Sequence, residues 1–176
     1  MKKSITVSLL AAIAVGVKAQ DQATIKINSQ AAVVQSQEII INSNPDLVWE
    51  ILTGVEDWPS WNEKVTKTSI KEELQVGSVF SWKSGGVNVH SKLHSYKDQQ
   101  IMGWTGHTIG AKAVHNWHLI PTENGTKVIV EESMDGWLVE LLKKSMNKKL
   151  EADMIFWLSR LKSECESQAK EIQVNI

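Results

Sequence analysis

A chain of 176 residues, 42% hydrophobic and 22% charged, has room for one domain with a packed core and lacks the composition of a disordered or multidomain chain. Its formal net charge of −1 gives no electrostatic reason to expect nucleic acid or an anionic membrane surface as partner. A single cysteine, Cys165, excludes an internal disulfide framework and any multi-cysteine metal site, so the fold has to be held by its core.

The first nineteen residues stand apart. Lys2 and Lys3 form a positive start, Ile5 to Val17 is an almost uncharged apolar stretch, and Val17-Lys18-Ala19 ends it with a small-x-small pattern. This is the pattern of a signal peptide cleaved after Ala19, and it predicts an exported protein, periplasmic or secreted. A membrane anchor needs roughly 20 predominantly apolar residues, and this run is shorter and interrupted by Thr6, Ser8 and Gly16. Cleavage removes three lysines and no acid, leaving 16 basic against 20 acidic residues, a mature charge of −4.

Residues 20–32 are polar and without a sustained period, a flexible lead-in to one domain spanning 33–170. Val33 to Ile41 is β-branched and apolar, a strand. Asn44-Pro45-Asp46 then opens a helix with Asn as N-cap, Pro at the first position and Asp in the first turn. Val48, Ile51 and Leu52 share a face, and Gly54 stops the helix. Glu56 to Asn62 is broken by Pro59 and predicts one short turn carrying Trp58 and Trp61. Strand-like runs follow at Val65–Glu72, Ser78–Lys83, Val87–Tyr96, Ile101–Thr108, Ala113–Ile120 and Lys127–Met134. Ser84-Gly85-Gly86, Lys97-Asp98-Gln99, Ile109-Gly110 and Asn124-Gly125 separate five of them as hairpin turns, so the strands form an antiparallel meander. From Gly136 to about Gln168, Leu138, Leu142, Met146, Leu150, Met154, Trp157 and Leu161 recur at three- and four-residue spacing, which predicts one long helix. The fold class is α+β, a curved antiparallel sheet of about seven strands wrapped around that helix.

In this order of elements, the segment Ile40 to Leu52 followed by Asp57-Trp58-Pro59-Ser60-Trp61-Asn62 resembles the opening of the START-like or SRPBCC superfamily, and within it the polyketide cyclase/dehydrase branch. Gln75 to Trp82, Ile101 to Gly106, His115 to Pro121 and Asn124 to Glu132 add to the resemblance, which covers about residues 33 to 162. It implies a helix-grip fold with a cavity between sheet and C-terminal helix, used across the superfamily mostly for lipids, polyketides, sterols and other apolar ligands. No catalytic motif is universal in the family, so the resemblance suggests ligand binding without naming the ligand.

Alternation assigns the cavity face. Phe80 and Trp82, Val89 and Leu93, Met102 and Trp104, Val128 and Val130 point inward, as do His115, Trp117 and Leu119, with Glu132 continuing the last strand's face. The helix stripe is mainly core, and Leu142 and Met146 are its candidates for lining the cavity. A buried Glu132 beside His115 is the one plausible acid–base pair, because desolvation raises a carboxyl pKa toward neutrality; the alternative is a polar anchor for ligand. Asp57, before Trp58-Pro59, reads as a turn or cap residue.

Five histidines invite a metal, and their spacing argues against one. His90 and His94 share a strand face about 13 Å apart, too far to hold one ion at about 2 Å each. His115 and His118 face opposite sides. The residues imply no metal and no cofactor. The expected partner is an apolar small molecule bound by a monomer or weak homodimer, without stable membrane insertion. Two other functions stay open: a cyclase, dehydratase or hydrolase using the same pocket, and a scaffold whose cavity is collapsed.

Overall fold

The structure, a computed structural model, describes residues 24–174. The signal-peptide reading falls on residues 1–19, outside the described residues. Strand β1 (Val33–Ile41) is followed by α1 (Pro45–Thr53), a single 3-10 turn (Val55–Asp57) and α2 (Trp58–Trp61). Then come β2 (Val65–Ile70), β3 (Val79–Ser84), β4 (Val87–Lys97), β5 (Ile101–Thr108), β6 (Ala111–Thr122) and β7 (Gly125–Asp135), and last α3 (Trp137–Leu141) and α4 (Lys143–Val174). The strands make one seven-stranded sheet in the order β1-β7-β6-β5-β4-β3-β2, every pair antiparallel. This is the helix-grip arrangement: short helices after the first strand, a meander, and a long C-terminal helix against the concave face.

Local chemistry explains most element ends. The Asn44 side chain accepts from Leu47 N at 2.8 Å, which satisfies one of the orphan donors of the first turn of α1. Gly54 ends α1 without a left-handed conformation, at φ −68° and ψ 65°. Ser84 pairs with Val87, so Gly85 and Gly86 form the two-residue β3–β4 turn, both at positive φ as such turns require. The β6–β7 hairpin sits one residue earlier than the Asn124-Gly125 signal suggests. Its loop residues are Glu123 and Asn124, and Gly125 opens β7, where a Cβ would stand 2.1 Å from Ile41 O.

Two further features depart from the sequence reading. The single long helix is two, because the chain breaks at Leu142 (φ −109°, ψ 19°). Strand β4 also carries a bulge between Leu93 and Ser95. His94 there lies buried over Gly103, where a Cβ would meet its Cε1 at 2.7 Å, and burial lowers its pKa. The bulge resets the alternation, so Tyr96 faces inward and meets Trp49 at 5.1 Å.

Residues 24–32, the described part of the lead-in, form no helix or strand, and hydrogen bonds attach them to the sheet. Asn28 N donates to Ser133 Oγ, Ala32 N to Asp135 Oδ1, and Asn116 Nδ2 to Ile25 O.

The core joins α1, α2, the inner sheet face and the middle of α4, with Trp58, Trp117, Phe80, Leu52 and Leu161 fully buried. Cys165 belongs to it, since Met154, Trp157, Leu158, Leu161 and Cys165 recur on one face of α4. Burial pushes its thiol from an ordinary 9.0 up to about 12. The unfolded chain therefore releases this proton at lower pH than the folded one. The resulting stabilisation is complete below pH 9.0 and disappears as pH climbs toward 12. Denaturant titrations across that range should show a shallower alkaline loss in Cys165→Ala than in the natural chain; equal slopes would contradict burial of the thiol.

Gly136 and Gly77 separate two costs. Both have positive φ, +133° and +101°, but a Cβ at Gly136 would lie 2.3 Å from Gly110 O, and one at Gly77 would meet nothing within 4 Å. Gly77→Ala should cost about 1–2 kcal/mol of backbone strain, and Gly136→Ala should exceed it by about 1–3 kcal/mol of overpacking. Urea midpoints of the two variants measure the difference.

Candidate functional site

Tryptophans fill one end of the space between sheet and helices. Trp58 stands among Phe80, Trp82, Trp104 and Trp157 with ring centroids at 5.9, 5.7, 5.9 and 5.1 Å, mostly edge to face. Its Nε1 donates to Leu52 O at 2.9 Å, so the indole is buried without an unmet donor. Beyond this aromatic floor the space stays open as a cavity of about 900 Å³, walled by β3 to β7, α3 and the first half of α4.

Most residues that alternation places inward meet there. Trp82 of β3, Val89 of β4 and Trp104 of β5 line the cavity. So do His115 and Trp117 of β6, Val130 and Glu132 of β7, and Met146 of α4. Phe80, Leu93, Met102, Leu119 and Val128 do not. They point inward, but they lie under the floor, buried in the core with Val48, Leu52 and Trp58. Alternation identifies a face and leaves distance along the strand undetermined. Leu142 does not line the cavity either: the helix break leaves it 45% exposed, and Leu138 takes the place on the wall. Asp57 sits at the end of the 3-10 turn, outside the cavity.

Other lining residues went unassigned. Leu150, Met154 and Trp157 follow Met146 at helical spacing, so the signal was the stripe already read as core. Val87 and Ile109 sit at hairpin tips, where strand periodicity ends and carries no information. Lys149 and Asp153 bring charge to the wall. Lys64, also bonded to Asp153, is held beside the β3–β4 turn by Gly85 N, which donates to Lys64 O. Burial works to raise the Asp153 carboxyl, but hydrogen bonds from Lys149 and Lys64 outweigh it, and the group ionises below its ordinary range.

The polar pair inside the apolar wall follows from register. Trp104, His115 and Glu132 are direct neighbours across β5, β6 and β7. The His115 ring stacks on Trp104 at 4.5 Å and 15°, and its Nδ1 bonds Glu132 Oε2. Each side chain of the pair is 13% exposed. A carboxylate at Nδ1 selects the tautomer whose Nδ1–H donates and whose Nε2 carries the lone pair. His115 Nε2 and Trp117 Nε1 are both buried without a partner. Chemically this is an oriented base with a donor on the neighbouring indole. His118 faces the other side of the sheet, beside Glu131. Among the described residues no group of three or more His, Cys, Asp or Glu is placed to hold a metal.

A family model described as polyketide cyclase / dehydrase and lipid transport matches residues 32–166. No curated protein sequence gives a significant match. Solved structures share the fold. The hypothetical protein jhp0584 from Helicobacter pylori aligns with a TM-score of 0.71 at 16% identity, over 81% of this chain and 98% of its own. The Zhui aromatase/cyclase from Streptomyces sp. R1128 gives 0.66 at 15% identity, over 77% and 94%. A START superfamily protein from Mycobacterium smegmatis gives 0.59 at 12%, over 77% and 98%. At these identities the likeness is one of fold.

The His115–Glu132 bond should be visible in stability. Glu132→Ala strands a buried N–H and should cost about 1–3 kcal/mol, whereas Glu132→Gln keeps an acceptor at Nδ1 and should cost clearly less. Chemical denaturation of both variants checks the ordering, and equal costs would mean that the bond is not made.

Proposed function

Because this chain belongs to the polyketide cyclase / dehydrase and lipid transport family, we propose that its cavity binds a hydrophobic small molecule, lipid-like, polyketide-like or aromatic. The observation that carries this reading is the cavity itself. Its volume of about 900 Å³ falls in the upper part of the range of roughly 300–1,000 Å³ typical of small-molecule sites. About half of its lining residues are Trp, Val, Met and Leu, and its polar side chains include Asn88, His90, His107, Lys149 and Asp153 besides the His115–Glu132 pair. Apolar surface transferred into it gains about 25 cal/mol per Å², and the His115–Glu132 pair offers one polar point against which a ligand is oriented. The size of the open space weighs against a scaffold with a collapsed cavity.

A second reading, an enzyme of the cyclase, dehydratase or hydrolase kind, is favoured by one specific observation. An imidazole whose Nδ1 is held by a carboxylate and whose Nε2 is unpartnered is the arrangement of a general base. In that role Nε2 accepts a proton from the ligand, and Glu132 stabilises the imidazolium that forms. Binding and turnover separate the two readings. His115→Gln should leave affinity for an apolar ligand nearly unchanged in both and should abolish turnover only in the second.

Apolar fluorescent probes should bind the natural chain and quench its tryptophans, since Trp82, Trp104, Trp117 and Trp157 line the space. A ligand at 100 times its Kd should stabilise the fold by about 2.7 kcal/mol. Met146→Trp, which adds bulk from the helix wall, should reduce or remove both effects. A broad apolar panel that produces neither quenching nor a thermal shift in the natural chain would reject the binding reading.

A further inference from the structure

Net charge is an average over the surface, and here it conceals a local concentration of opposite sign. Residues 137–150 hold four lysines, Lys143, Lys144, Lys148 and Lys149, against one acid, Glu140, a net of +3 in a segment bounded by Asp135, Glu151 and Asp153. All four are exposed. Lys149 pairs with Asp153, and none of the other three is in a salt bridge among the described residues.

The same segment exposes large apolar side chains. Helix α3 buries Val139 and turns Leu138 to the cavity, yet Trp137 and Leu141, one turn apart, are 66% and 73% exposed, and Leu142 follows at the break. Ile109, at the β5–β6 turn, is 85% exposed. These groups are neighbours: Leu138 N donates to Gly110 O, and a Cβ on Gly110 would lie 2.8 Å from the Trp137 ring. The patch borders the cavity, since Ile109, Leu138 and Lys149 are part of its wall.

We propose that this rim is a docking surface for an anionic lipid bilayer. Trp137, Leu141, Leu142 and Ile109 seat in the headgroup boundary, where an indole places its ring among apolar groups and its N–H toward water. The exposed lysines lie over lipid phosphates. A second copy of the chain fits this surface poorly. A two-fold contact through it would bring the same lysine cluster of both copies together. The attachment is peripheral: no helix among the described residues is long and apolar enough to cross a membrane. The inference goes beyond the cavity-binding reading and stands without it.

Vesicle flotation of the chain beginning at Gln20, which contains every described element of the fold, tests the proposal. Vesicles of phosphatidylcholine alone are compared with vesicles that also contain phosphatidylglycerol. The natural chain should float with the anionic vesicles at low salt and progressively less as salt rises. Lys143→Gln with Lys144→Gln should weaken partitioning roughly thirtyfold. Trp137→Ser with Leu141→Ser, and independently Ile109→Ser, should weaken it at constant charge. All these side chains are exposed, and melting curves confirm that each variant is folded. Absence of flotation with anionic vesicles overturns the proposal, as does binding that neither kind of variant changes. A dimer lost in the Trp137/Leu141 variant, seen by sedimentation without vesicle binding, would assign the surface to a second copy instead. Cavity binding of apolar probes is measured separately, so a failure here is distinguishable from a failure there.

Discussion

Trp157 of α4 meets Trp58 of α2 edge to face at 5.1 Å and 90°, and this contact decides where the grip is closed and where it stays open. A curved sheet over a helix leaves a space that must be either filled or kept as a cavity. Helix α2 is four residues long and too short to persist unaided. It is held because Trp58 packs against two strands and a helix at once, each aromatic contact contributing about 0.5–1.5 kcal/mol beyond its area. Trp61 and Trp117 reach the same Trp157 at 5.6 and 6.1 Å. With this end occupied by indoles, the open space lies between β3 to β7, α3 and the first half of α4.

This division between floor and cavity explains what the sequence disclosed. Strand β1 was legible residue for residue, because a β-branched run ends against Asn-Pro-Asp, whose backbone preferences cannot continue a strand. The inner face was legible too, since side chains alternate with a period of two. Which inward residue meets the cavity and which lies under the floor was not, because it depends on where Trp58 docks from a distant part of the chain. Phe80 and Trp82 share a face two residues apart, yet only Trp82 borders the open space. The break at Leu142 was hidden for a related reason. Leu138, Leu142 and Met146 keep four-residue spacing across it, so the pattern is the same for one helix or two. The β4 bulge exists only relative to a partner strand, and the sequence of β4 alone holds no sign of it.

The His115–Glu132 pair lies between those cases. Alternation assigns both residues to the inner face and offers them as a pair, and the β6–β7 register that sets them opposite one another makes the contact. A slip of one residue would send every side chain of that strand to the other face. A polar pair in an apolar wall carries a desolvation cost that well-packed hydrophobic residues would avoid. Packing therefore does not account for it, whereas the ligand-orienting role proposed above would.

The sealed floor also bears on the binding proposed above. A ligand in a cavity plugged by Trp58 and Trp157 at one end would leave toward the other, where Val87, Ile109 and Leu138 line the wall. An apolar molecule leaving by that route into water loses about 25 cal/mol for every Å² it exposes, a cost that slows release in proportion to ligand size. Contact of the rim with a lipid surface removes the aqueous step, because the apolar tips of the hairpin and α3 would continue the cavity wall into the hydrocarbon boundary. The exposed Trp137 and Leu141 are thus costly for a protein that only stores its ligand in solution. On the proposed membrane docking they would serve exchange of ligand at a surface, and Lys143, Lys144, Lys148 and Lys149 lie on the same rim.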